Sequence, residues 1–181
     1  MATSAGLPGF NTPAVGFEQP FAMLEACHER VERTLTLLQR LRAYVREQAA
    51  DDAARQAARD VLRYFDIAAP LHHQDEELHV FPLLLSQGAP SVVAVVQQLQ
   101  HDHACMAADW AAARGALQAI ADGAAAGFGA EDEARLDQFA QRYQQHIQAE
   151  EGTAYPCAQA LLGQGELHAM GLEMAARRRV G

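Results

Sequence analysis

The sequence reads as an all-α protein: an up-down-up-down four-helix bundle of two repeated helical hairpins, with an N-terminal extended arm and a short C-terminal helix. Three features carry that reading. Of the 181 residues 38 are Ala, the strongest helix former, and β-branched residues are few outside Val92 to Val96. Apolar residues recur at spacings of three and four through four long segments. The second half of the chain also repeats the first.

Residues 1–19 carry Gly6, Pro8, Gly9, Pro13 and Gly16 without a helical period, which predicts an extended arm. Helices are expected at about 20–47, 52–86, 91–122 and 131–162, with a fifth, short one at about 165–178. The breaks fall at Gln48 to Asp51, at Gly88-Ala89-Pro90, and at the Gly-rich stretch Gly123 to Gly129. Asp51 or Asp52 is a natural N-cap for the second helix and Ser91 for the third. The chain thus divides into an arm (1–19), a bundle (20–162) and a C-terminal helix with its tail (163–181).

Polar residues interrupt all four apolar stripes. The first holds Leu24, His28, Val31, Leu35 and Leu38, and the second Leu62, Phe65, Ala69, His72 and Glu76. The third holds Leu99, His103, Met106, Trp110 and Ala113, and the fourth Leu136, Phe139, Tyr143, His146 and Glu150. One buried His is commonly a hydrogen-bonded core residue. Four His and two Glu on four core stripes each require a partner.

The repeat is explicit. A shift of 74 residues carries the second helix onto the fourth: Leu62 onto Leu136, Phe65 onto Phe139, His72 onto His146, and Glu76 and Glu77 onto Glu150 and Glu151. Gln74 and Pro82 fall on Gln148 and Pro156, and Phe81 on Tyr155. A shift of 75 carries Leu24 and His28 onto Leu99 and His103. The bundle is therefore expected to have a pseudo-two-fold axis.

Height in the bundle follows from the loops. Short connections make neighbouring helices antiparallel. His28 and His72 each lie about 22 residues from the first turn, and His103 and His146 lie about as far from the third. Glu76 and His103 are both about 13 residues from the second turn. One layer then holds four imidazoles and two carboxylates, and such a dry layer calls for a cation. Mixed His/carboxylate ligation suits Fe, Mn or Zn. Six ligands in a two-fold pattern suit two ions, each taking two His from one hairpin, with both Glu bridging. They supply about eight bonds of the roughly twelve that two octahedral ions need, leaving room for an oxo or hydroxo bridge and an exogenous ligand.

At these residues the sequence resembles the hemerythrin-like (HHE cation-binding) domain family. The quoted motifs are Cys27-His28-Glu29-Arg30, then His72-His73-Gln74-Asp75-Glu76-Glu77 leading to Phe81-Pro82, then Asp102-His103, then His146-Ile147-Gln148-Ala149-Glu150-Glu151 leading to Tyr155-Pro156. The resemblance spans about 20–162 and implies a four-helix bundle with a non-haem di-iron centre held by His28, His72, Glu76, His103, His146 and Glu150. Iron–sulfur-cluster repair di-iron proteins are similar in their duplicated pattern. Oxygen-carrying members have a further His one turn away on the third helix; here those positions are Leu99 and Ala107. Family iron chemistry therefore carries over better than a dedicated carrier role.

His73 is a seventh metal candidate. It lies at the stripe edge, and its repeat mate is the apolar Ile147. It is read as a ligand replacing the missing His, as a partner to a ligand, or as a half-buried core His. His101 is expected to face solvent, His79 to line a rim or access path, and His168 to stand apart. Glu77 and Glu151 are read either as charged flanks or as partners to the ligating His. Pro70 is expected to kink the second helix so that His72 and His73 tilt inward. Trp110 and Tyr143 are read as core packing, and Tyr143 also as a donor to a bound species. The run Arg177 to Arg179 reads as a solvated tail.

Composition bounds the function. With 14 Arg, no Lys and 23 acids the formal charge is −9, which argues against nucleic acid as partner. No apolar run approaches a membrane span, and no secretory leader is evident at the N-terminus. Three Cys without CxxC spacing read as reduced thiols in a cytoplasmic protein. The expected function is a di-iron protein that binds or senses O2, NO or peroxide, or handles iron. A repair or nitrosative-stress role and a metal-dependent interaction module with an unknown protein partner are the alternatives. An oxidising enzyme of the ferritin-like type is disfavoured, since those sites are carboxylate-rich.

Overall fold

The computed structural model describes residues 15–178. Every regular element among them is helical. Helix α1 is Pro20–Glu47. Helix α2 runs without a break over 52–87, and α3 is Pro90–Ala121. Helix α4 runs over 130–161, and α5 is Gln164–Arg177. These bounds agree with the sequence to within about one residue at each end, as assignments of helix ends do.

Cross-helix pairs show how the rods lie. Arg42 of α1 meets Glu133 at the start of α4, while His28 meets Glu151 near its end. Asp66 of α2 bonds Arg114 of α3, and Glu77 bonds His103. Gln138 bonds Asp109, and His146 approaches Asp102. In each pair one chain rises as the other descends.

The caps follow local chemistry with one correction. Asp51 caps α2, its side chain accepting from the Ala54 N–H at 3.0 Å. Ser91 does not cap α3. That helix starts one residue earlier, at Pro90 behind an extended Ala89, because a proline ring is already set for the first helical position and lacks only an N–H that would go unused. Gly123, with φ of +74°, takes the left-handed turn that ends α3.

Helices α2 and α4 contain π turns, at Tyr64–Ala68, Glu76–Val80 and Glu150–Ala154. Each is followed two residues later by a proline: Pro70, Pro82 and Pro156. Proline cannot bond to the preceding turn, and the π turn is where the ladder shifts to i→i−5, so the missing bond falls at the switch. The interruption expected at Pro70 therefore takes the form of a widened turn.

Two apolar clusters fill the interior. One contains Leu38, Val61, Phe65, Leu117, Leu136 and Phe139. The other contains Phe21, Leu24, Leu84, Val96 and Tyr155, and α5 adds Met170 and Met174 to it. The buried His and Glu lie between them.

The extended arm expected over 1–19 falls mostly where the structure describes nothing. Residues 1–14 lie outside the described residues. Residues 17–19 form a turn, and Val15 and Phe17 pack on the second cluster. Gly171 makes that packing possible, because a Cβ there would stand 1.9 Å from the Phe17 carbonyl oxygen. The Arg177 to Arg179 reading is corrected. Asp75 is fully buried, and Arg177 (2.7 Å) and Arg178 (2.6 Å) both reach it. A buried carboxylate needs those cations, so the basic end of α5 folds back onto α2. Arg179 lies outside the described residues.

Candidate metal centre

Four helices bring the six predicted ligands into one buried layer. His28, His72, His103 and His146 are 2–4% exposed, and Glu76 and Glu150 are fully buried. Within α2 and α4 the i,i+4 spacing places His72 3.3 Å from Glu76 and His146 2.9 Å from Glu150.

The imidazoles sort by hairpin. The rings of His28 and His72 are 4.8 Å apart, and those of His103 and His146 are likewise 4.8 Å apart. Each carboxylate spans both pairs. Glu76 turns Oε1 toward His72 and Oε2 toward His103, the latter at 3.4 Å. Glu150 turns Oε2 toward His28 at 3.0 Å and Oε1 toward His146.

Glu77 and Glu151 prove to be partners of the histidines. The Nδ1–H of His28 donates to Glu151 at 2.8 Å, and that of His103 donates to Glu77 at 2.9 Å. Fixing the proton on Nδ1 leaves Nε2 as the free donor atom, turned toward the centre. The 100° offset from Glu76 and Glu150 that made these residues look like flanks aims them at the neighbouring helix.

The polar atoms here fit a cation. Glu76 Oε2 and both oxygens of Glu150 are buried, and what they face are the Nε2 atoms of His103 at 3.4 Å, His28 at 3.0 Å and His146 at 2.9 Å. Carboxylate oxygens and imidazole nitrogens facing one another in a dry layer need positive charge. Without metal, protons supply part of it. Burial opposes charging His28 and His103, but bonds and charge from Glu150 and Glu76 outweigh it and lift them to about 9 and about 10. Burial pushes Glu150 up, yet its bonds to His103, His146 and His28 hold it well below the usual carboxylate range. Burial lowers His72 despite the Glu76 charge.

The donor atoms of His28, His72, Glu76 and Glu150 lie within 4.8 Å of one another, close enough to hold a metal ion, and so do those of His73, His103 and His146. His73 is half-buried and stacks on His103 at 4.0 Å. Burial and the neighbouring His103 hold it well below its usual range.

Tyr155 was not singled out by sequence. Its hydroxyl donates to Glu76 Oε1 and lies 3.2 Å from His28 Nε2, with its ring stacked on His28. The available signal was the one hydroxyl by which Tyr155 differs from its repeat mate Phe81, which lies 5.3 Å from His103. His79 is not on an access path. It sits under α5, bonded to Arg177 and near Glu173. His101 and His168 are exposed. Tyr143 is core, whereas Trp110 is half-buried and donates its indole N–H to Asp66.

Residues 19–158 match the hemerythrin HHE cation-binding domain, and the chain belongs to that family. It is also similar to an uncharacterized protein of Haemophilus influenzae, 32% identical over 164 residues, which cover 91% of this chain and 92% of that protein. As a family member with a buried His/Glu cluster, the protein is a metal-cation binder. No helix among the described residues is long and apolar enough to cross a membrane.

Proposed function

We propose that the centre holds two iron ions and that the protein binds or senses a small molecule there, O2, NO or peroxide, or handles iron. The observation that carries this reading is the division of Glu76 and Glu150, each with one oxygen in each histidine pair. Such carboxylates suit two cations better than one. In this reading His28 and His72 serve one ion and His103 and His146 the other. Glu76 and Glu150 are shared, and His73 stands within reach of the second ion. The scaffold is an up-down-up-down four-helix bundle over about 20–162, with its two hairpins related by the repeat.

Iron would supply a one-electron redox change and open coordination positions. The chain's own residues do the rest. Glu77 and Glu151 hold the rings of His103 and His28 in the ligating tautomer. Apolar side chains above and below the layer exclude water and bulky polar molecules. Four imidazoles to two carboxylates is a poor donor set for high-valent oxidation chemistry, which supports ligand binding over oxygenase activity.

The test is elemental analysis of protein from iron-replete cells, with optical spectra. The expected result is two iron per chain, reaction of the ferrous protein with O2 or NO, and a new band when azide meets the ferric form. One tightly bound zinc and no second ion would refute the di-iron assignment. A ferrous protein inert to both gases would refute the small-molecule role.

A further inference from the structure

A cavity of about 450 Å3 opens between α2 and α3, beside the His103 side of the centre. Its walls are aromatic: Trp110 stands 5.2 Å from Phe65 and 5.1 Å from Phe139, and Tyr143 closes the inner side. Its head is the stacked pair His73 and His103. Its mouth is kept low by the exposed Ala104 and Ala107.

Several residues that line this hollow differ from their counterparts in the other half of the chain. The same shifts of 74 and 75 residues put Tyr143 in the place of Ala69 and Ile147 in that of His73. They put Glu29 and Glu32 in the places of Ala104 and Ala107, and Leu35 in that of Trp110. Small and flat residues on the α2–α3 side thus answer large or charged ones on the α4–α1 side.

The volume and lining define the guest. A diatomic needs little more than a water, about 30 Å3. The cavity is many times larger, within the roughly 300–1,000 Å3 of small-molecule sites. Flat aromatic walls favour a ring. Glu77 lies on the rim and no Arg among the described residues lines the cavity, so an anion is disfavoured. His73, Gln74 and Gln100 offer hydrogen bonds to a hydroxyl.

We propose that this cavity is a binding site for an uncharged, single-ring organic molecule of the phenol class, its ring against Trp110 and its hydroxyl toward His73. The aromatic walls do not depend on which ion the centre holds, and in the metal-free protein His73 is free to meet the hydroxyl.

Trp110 is the chain's only tryptophan, so its indole N–H gives one reporter signal in a proton–nitrogen NMR spectrum. The full-length protein, metal-free and zinc-loaded, is titrated with phenol and with benzoate. The expected result is a saturable shift with phenol in both forms, with Kd on the order of 1 mM or tighter. Benzoate should bind at least about tenfold more weakly. Ala104→Leu with Ala107→Leu plugs the mouth from exposed helix positions and should weaken phenol about tenfold or more at unchanged melting temperature. Glu29→Ala on the opposite side should change nothing. If the double variant does not fold, Ala107→Leu alone carries the comparison. A shift linear in phenol, benzoate binding as tightly, or an unaffected plug variant would overturn the site.

Discussion

Tyr155 and Phe81 occupy equivalent places in the two halves of the bundle, and only Tyr155 carries a hydroxyl, which donates to the buried Glu76. The two histidine pairs are therefore chemically unequal. Tyr155→Phe removes a donor to a carboxylate with no exposure, which costs about 1–3 kcal/mol in the metal-free protein. The loss should be smaller in the loaded protein, where a cation serves Glu76. Denaturant unfolding of both forms measures the difference; equal losses would mean the hydroxyl does not serve Glu76 in solution.

Glu76→Ala and Glu150→Ala each remove a carboxylate that spans both histidine pairs. Elemental analysis should show metal content falling by half or more in each, while His101→Ala, at an exposed position, retains it. Similar losses in all three variants would contradict the assignment of the centre.

The pH dependence of the metal-free protein follows from three groups. His28 and His103 titrate near 9 and 10 when folded, above the ordinary 6.5. Their contribution to stability is thus complete below pH 6.5 and is lost as pH rises through 9 and 10. Glu150 is depressed from 4.5, so its contribution is present above pH 4.5 and is lost as pH falls through its lower folded value. Metal-free melting temperature should therefore drop between pH 7 and 10, while the loaded protein stays flatter. Metal must displace those protons, so metal binding near pH 7 should release about two of them, as calorimetry in buffers of different ionisation enthalpy would show.

Arg177→Ala with Arg178→Ala leaves Asp75 buried and unpaired, which should destabilise the fold by about 3–5 kcal/mol. Adding Asp75→Leu should recover part of that loss. Urea titrations of the double and triple variants test it; no recovery would mean that the arginines do not act by neutralising Asp75, and no loss in the double variant would mean that α5 holds by its Met170 and Met174 packing.

Much of this was legible in the sequence because helical spacing is local. The His-x-x-x-Glu repeat and the distance of each His from its loop placed six side chains in one layer, and the structure keeps them there. What was not legible depended on contacts across helices. Asp75 carries no sign in its own segment that residues about a hundred positions away would neutralise it. Glu77 and Glu151 found their roles only when the neighbouring helix supplied a ring nitrogen. The π turns were visible as prolines but not as a change of ladder, since one extra residue per turn leaves composition unchanged.

That extra residue separates the centre from its surroundings along the chain. A π turn holds one residue more than the α-helix it interrupts, so deleting Gly152 lets 150–154 close in ordinary register. His146 and Glu150 precede the deletion and keep their places. The widened turn absorbs the loss, so the helix after it keeps its place and Tyr155 stays stacked on the His28 ring. A single lost codon at 152 would thus leave both the donor set and the Tyr155 hydroxyl in place, whereas the same loss within Ala130–Ala149 would turn everything after it by about 100°.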